Sequence, residues 1–155
     1  MELTDLKKQY FVLEKRHKIP SFNAVNEDFE IDKIDKESDC LIRIVRKIMM
    51  EKIVNTLQFL DSLTNPVNAP RIYHSYIKSM SVEDRKIIEG IYDVLAKVSL
   101  DSLALEFEYN EKREAELIKE VFKAWQDIKL KLGEIIKHMS KPNSEGVKKE
   151  KSYYG

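Results

Sequence analysis

What this chain lacks narrows it first. It has one cysteine, Cys40, in 155 residues, so no disulfide can close within it and a thiolate zinc site has too few ligands. A single thiol fits a reducing compartment, and a cytoplasmic location is expected. Glycine and proline number only four each. The four glycines, Gly90, Gly133, Gly146 and Gly155, stand alone, so there is no glycine-rich loop to cradle a phosphate. No 18-residue stretch is free of charge, so no segment is expected to span a bilayer. The opening residues Glu2, Leu3, Thr4, Asp5, Leu6 and Lys7 lack the apolar run of a secretory leader. Nor is there an excess of either charge: 27 basic residues meet 27 acidic ones. That balance argues against a protein that works mainly by neutralising phosphates.

What is present points to helices. Apolar residues make up 43% and charged residues 35% of the chain. High charge with few breakers is the composition of long solvated helices, and the apolar share is too large for a disordered chain. A first helix is expected from about Leu3 to His17, where Leu3, Leu6, Tyr10, Leu13 and His17 recur at 3-4 spacing. It must stop before Pro20, because the residue preceding a proline is pushed out of the helical region. Residues 19–34 lose the helical period. Asp28, Phe29, Glu30, Ile31 and Asp32 alternate polar and apolar, which predicts an extended strap docked on the bundle. Its Ile19, Phe22, Val25, Phe29, Ile31 and Ile34 are too apolar for a free loop.

A second helix is expected to start between Asp35 and Ser38 and to end near Thr64, apolar on more than one side and therefore central. Asn65-Pro66 and Pro70 break the chain before a short helix with Tyr73, Tyr76, Ile77 and Met80 on one face. Ser81 reads as an N-cap, with Asp84 in the place of a capping-box glutamate. Two more heptad stripes follow: Ile88, Ile91, Leu95, Val98, Ser102, Leu105 and Tyr109, then Ile118, Val121, Trp125, Ile128, Leu132, Ile135 and Met139. Neither stripe survives the 106–116 stretch, so the chain is expected to turn near Asn110 into an antiparallel neighbour. The long helices are expected to run to about 28–30 residues each, about 42–45 Å at 1.5 Å per residue. The fold expected is an all-α, up-and-down bundle of four to five helices with one extended connecting segment. Residues 1–139 would form a single domain, and 140–155, with four lysines against two glutamates, a flexible tail.

No chemistry converges in this pattern. A carboxylate-bridged di-metal site needs paired inward glutamates and Glu-x-x-His motifs, and only Glu14 to His17 has that spacing. The helix seams hold Ile, Leu, Val, Trp and Met, with Thr56 and Ser102 as polar exceptions, so no buried carboxylate is expected. The acidic run from Asp28 to Asp39 places Lys33 where a calcium loop needs glycine. Cys40 reads as a small buried hydrophobe, His17 as a packing or capping residue, and His138 as a helix-end group beside Glu134. No metal, cofactor or catalytic residue is expected, and the chain reads as non-enzymatic: a protein–protein interaction or scaffolding module, possibly self-associating. One alternative is an RNA- or DNA-associated accessory protein using Arg71, His74 and Lys78, with Arg85 nearby. Another is a helical pocket for a small apolar ligand. A membrane partner is not expected. Phe22, Phe29 and Ile31 have two possible roles, packing on the bundle or docking a partner.

Overall fold

A computed structural model describes residues 2–35 and 38–141. Among them are six α-helices and no strand. The first, α1, spans Leu3–His17 and buries Leu6 and Tyr10. Lys18 ends it in the left-handed region at φ 56°, its N–H donating to the Glu14 carbonyl, and Pro20 forbids another turn. Tyr10 then ties the exit down, its hydroxyl donating to the Pro20 carbonyl at 2.6 Å.

The strap is where the structure departs from the pattern. Residues 19–34 pack on the bundle, but they are not extended: α2 spans Phe22–Phe29, and a 3-10 turn covers Ile31–Lys33. Ser21 caps α2 by accepting from the Ala24 N–H at 3.3 Å. Phe22, Val25 and Phe29 fall at i, i+3 and i+7, one face of a helix, and all three are buried. Glu30 closes the helix in the left-handed region at φ 54°, so the chain reverses sharply and Ile31 also turns inward. The alternation across Asp28–Asp32 thus arises where a helix ends and a turn begins.

Three long helices form the body. They are α3 (Leu41–Thr64, 24 residues), α5 (Val82–Phe107, 26 residues) and α6 (Glu111–Ser140, 30 residues), with the six-residue α4 (His74–Ser79) between the first two. The first two are shorter than expected, α3 because it begins at Leu41. Ser81 and Asn110 are N-caps, accepting from the Asp84 and Arg113 N–H groups at 3.0 and 3.1 Å. The three residues 108–110 join α5 to α6, so these helices are antiparallel neighbours. Helices α3, α5 and α6 pack pairwise against one another, and α1, α2 and the 3-10 turn pack on α3. Phe29 reaches Trp125 of α6 with ring centroids 5.9 Å apart, and Asp28 receives Gln126 and Lys129 at 2.9 and 3.1 Å. The N-terminal layer therefore fills the α3–α6 groove. The buried apolar side chains make one cluster, with Trp125 only 6% exposed.

The seams are not wholly apolar, which corrects the expectation that no carboxylate is buried. Glu114 and Asp84 are both inside, with Arg46 and Ser102. Extending the α6 stripe back from Ile118 lands on Glu114, and extending α5 lands on Ser102; Arg46 of α3 meets both. Its Nε donates to Glu114, one terminal nitrogen donates to the Ser102 hydroxyl at 2.6 Å, and the other to Glu106 at 2.8 Å. Burial works against this charge, and the hydrogen bonds to Glu114 and Glu106 more than offset it, so the guanidinium holds its proton more tightly than usual. This network joins the start of α3, the end of α5 and the start of α6, which fixes the up-and-down order. Among the described residues no helix is long and apolar enough to cross a membrane. From residue 142 on, the expected tail lies outside the described residues.

Candidate functional site

At the other end of the bundle, the prolines that stop the chain after α3 set α4 across the start of α5 and the end of α6. Tyr73 holds this connection to α3 by an edge-on contact with Phe59, centroids 5.7 Å apart at 84°. The three elements do not close on one another. They leave an open cleft of about 890 Å³ whose apolar walls include Phe59, Ile72, Tyr73, Ile136 and Met139. Ile72 and Ile136 are large apolar side chains left substantially in solvent, at 81% and 51% exposure.

One polar cluster lines the floor. Asp84 is 6% exposed. It accepts from the Tyr76 hydroxyl at 3.0 Å and pairs with His138 Nδ1 at 2.8 Å. Each element supplies one member: Tyr76 the buried face of α4, Asp84 the first turn of α5, His138 the last turn of α6. Burial, and then donation to Asp84, push the Tyr76 hydroxyl well above the ordinary tyrosine range. A carboxylate holding Nδ1 fixes the imidazole's orientation and leaves its Nε2 edge for something else. The His138 side chain is 45% exposed, and among the described residues its Nε2 has no hydrogen-bond partner. His138 thus pairs with Asp84, 54 residues away, and not with Glu134, which is held by Lys137 at 3.2 Å.

This arrangement can bind and can exchange a proton; it does not assemble an acyl-transfer triad. The Ser79 and Ser140 hydroxyls at the cleft wall donate to carbonyls of their own helices, Ser75 at 3.0 Å and Ile136 at 2.8 Å. Among the described residues no serine is hydrogen-bonded to the imidazole, and no three His, Cys, Asp or Glu side chains gather as a metal would need.

The residues singled out from the sequence fall in two places. Phe22, Phe29 and Ile31 are 7%, 4% and 0% exposed, so the surface they would offer a partner is already taken by the protein's own core. Arg71, His74, Lys78 and Arg85 are all exposed. His74 meets the Ala69 carbonyl at 3.2 Å, but no hydrogen bond or ion pair joins the four to one another. Arg71 and Lys78 lie around α4, the helix whose other side walls the cleft. His17 pairs with Glu111 at 3.0 Å, beside Arg16, and Cys40 precedes α3 half-buried. Pattern reading passed over Tyr76 and Asp84 as site residues. The available signal was a tyrosine on an inward face, whose hydroxyl needs a buried acceptor, with an acid eight residues on. Comparison with family models, curated proteins and solved structures finds no match to this chain.

Proposed function

We propose that the protein is a non-enzymatic interaction module that receives an apolar segment of a partner protein in the cleft between α4, α5 and α6. The observation that carries this reading is the cleft itself: about 890 Å³ of open, mostly apolar space with Ile72 and Ile136 standing in solvent at its edges. Large apolar side chains rimmed by polar ones are characteristic of surfaces that another molecule covers. The lone half-buried thiol supports a reducing, cytoplasmic setting. The test compares what co-purifies from the source cell with the intact protein and with Ile72→Glu/Ile136→Glu. Both positions are exposed, so the double variant should fold normally and lose the partner. A partner retained by that variant defeats the cleft as the interface.

The volume of the cleft favours a second reading, a small amphipathic ligand, since pockets of about 300–1,000 Å³ are the ordinary size for one. Native mass spectrometry of the purified chain distinguishes this case by an adduct of small mass.

A further inference from the structure

We propose that α5 pairs with the α5 of a second copy of this chain, antiparallel and about a twofold axis between Leu100 and Leu103. The observation is a stripe on the side of α5 turned away from the core. Ile91, Leu95, Val98, Ser102 and Leu105 face inward, whereas Ala96, Leu100, Leu103 and Phe107 recur at 4-3-4 spacing on the opposite side. Leu100, Leu103 and Phe107 are 68%, 53% and 85% exposed. Other exposed apolar side chains, such as Val82 and Leu130, stand singly among charged neighbours, which is ordinary for a surface. These three adjoin one another along one face. Earlier on the same side α5 carries Glu89 and Asp93, so the apolar stretch is bounded to about 16 Å of helix. It occupies the second half of α5, away from the cleft at its start, and adds a separate surface to the reading above.

What identifies the occupant is the symmetry of the stripe about its own midpoint, because a twofold contact sets one patch against itself. In antiparallel register Ala96 meets the partner's Phe107, large against small, and Leu100 meets the partner's Leu103. A parallel pairing sets Phe107 against the partner's Phe107 and Ala96 against the partner's Ala96, a bulge beside a gap that close packing penalises. Charge has the same sense. On one flank Lys97 lies over the partner's Ala104, about one turn from the partner's Asp101 on one side and the partner's Glu108 on the other. Within its own chain Lys97 donates to Asp101 at 3.2 Å, and a lysine ammonium has further donors to give. With 27 basic and 27 acidic residues, two copies meet without net repulsion. Two helices touching over so short a length bury less than the about 800 Å² per partner of a standard interface, so the expected Kd is on the order of 100 µM.

Sedimentation equilibrium of the full chain, from about 10 µM to about 1 mM, brackets that Kd and tests the pairing. The expected result is a monomer–dimer equilibrium whose Kd rises about tenfold in Leu100→Glu and in Leu103→Glu. Both positions are exposed, so circular dichroism should be unchanged. Lys97→Glu should weaken the dimer about threefold, and adding Asp101→Lys/Glu108→Lys should restore it. Leu130→Glu, an exposed site on α6, should leave it as it is. For the register, with Cys40→Ser in place, oxidising a mixture of Ala96→Cys and Phe107→Cys should give the mixed dimer, whereas Ala96→Cys alone should link poorly. A chain that stays monomeric at the highest concentration overturns the proposal, as does a dimer indifferent to Leu100→Glu and Leu103→Glu. Ready linking of Ala96→Cys to itself overturns the antiparallel register. A dimer lost in Ile136→Glu instead would seat the second copy in the cleft and overturn α5 as the surface.

Discussion

The two ends of the bundle each bury a carboxylate beside a basic side chain, and they differ in what lies on the far side. At the α5–α6 turn, Glu114 is wholly enclosed and faces Arg46, which is itself 2% exposed and spends its donors on Glu114, Ser102 and Glu106. At the opposite end Asp84 faces His138, whose side chain is 45% exposed and has a second nitrogen turned away from the pair. An arginine keeps its charge at any physiological pH and offers no proton to exchange, whereas a histidine does. A saturated pair locks helices together; a half-saturated pair beside a cleft is equipped to meet a ligand. The same motif thus serves as a clamp at one end and lines an open cleft at the other.

The largest expected effect breaks the clamp. Arg46→Met should cost about 3–5 kcal/mol in chemical denaturation, because it leaves Glu114 buried and uncompensated. The double variant Arg46→Met/Glu114→Met should recover most of that loss, since two apolar side chains fill the space without a desolvation penalty. A double variant as unstable as the single one would mean that the network holds the helices by more than charge.

A smaller effect is expected at the open end. Asp84→Ala removes the acceptor of the buried Tyr76 hydroxyl and should cost about 1–3 kcal/mol. His138→Gln, at a half-exposed position, should cost less than about 1 kcal/mol. Equal losses from these two variants would erase the difference in burial on which the comparison depends.

Acid and alkali should separate the ends without mutation. The hydrogen bond from Arg46, more than any other group, holds the Glu106 carboxyl down at about 2, against 4.5 for an ordinary glutamate. Its stabilisation is complete above about pH 4.5 and is lost as pH falls through about 2. Tyr76 at the open end and Tyr10 on the buried face of α1 are both pushed upward, chiefly by burial. Their contribution is complete below pH 10 and declines as pH rises beyond it. Amide exchange resolved by NMR should therefore show the clamp end loosening first in acid, and Glu106→Gln should flatten the acid limb of the stability curve.

The smallest effect is on the cleft wall. Ile136→Glu should change stability by no more than about 0.5 kcal/mol in a melting experiment, the ordinary size for an exposed site. A larger loss would mean that Ile136 packs as core and that the cleft is closed in solution.

Much of the frame is legible in the residues, because it is written in spacing and punctuation. The 3-4 stripe gives α1, Pro20 its end, Ser81 the start of α5 and Asn110 the start of α6. Helix α2 was hidden for a local reason: its eight residues offer only Phe22, Val25 and Phe29 as a helical signature, and the alternation beginning at Asp28 competes with it. The buried charges were hidden for a general one. A binary pattern assigns every Glu and Arg to solvent, yet Arg46 satisfies Glu114 from a helix 68 residues away, and no window along the chain contains both. The cleft is of the same kind: Tyr76, Asp84 and His138 become a cluster only when the two ends of the α5–α6 hairpin are brought back to α4.

The seat of the N-terminal layer has a consequence for how the chain is made. Asp28 is bound by Gln126 and Lys129, 98 and 101 residues later, and His17 by Glu111, 94 residues later. On a ribosome adding roughly 5–20 residues per second, α2 waits on the order of 5–20 s for α6 to appear. During that interval Phe22, Val25 and Phe29 have only half of their groove. A segment translated before α3, α5 and α6 is therefore among the last of these elements to be seated, and until then the growing chain exposes an apolar face that the folded protein conceals.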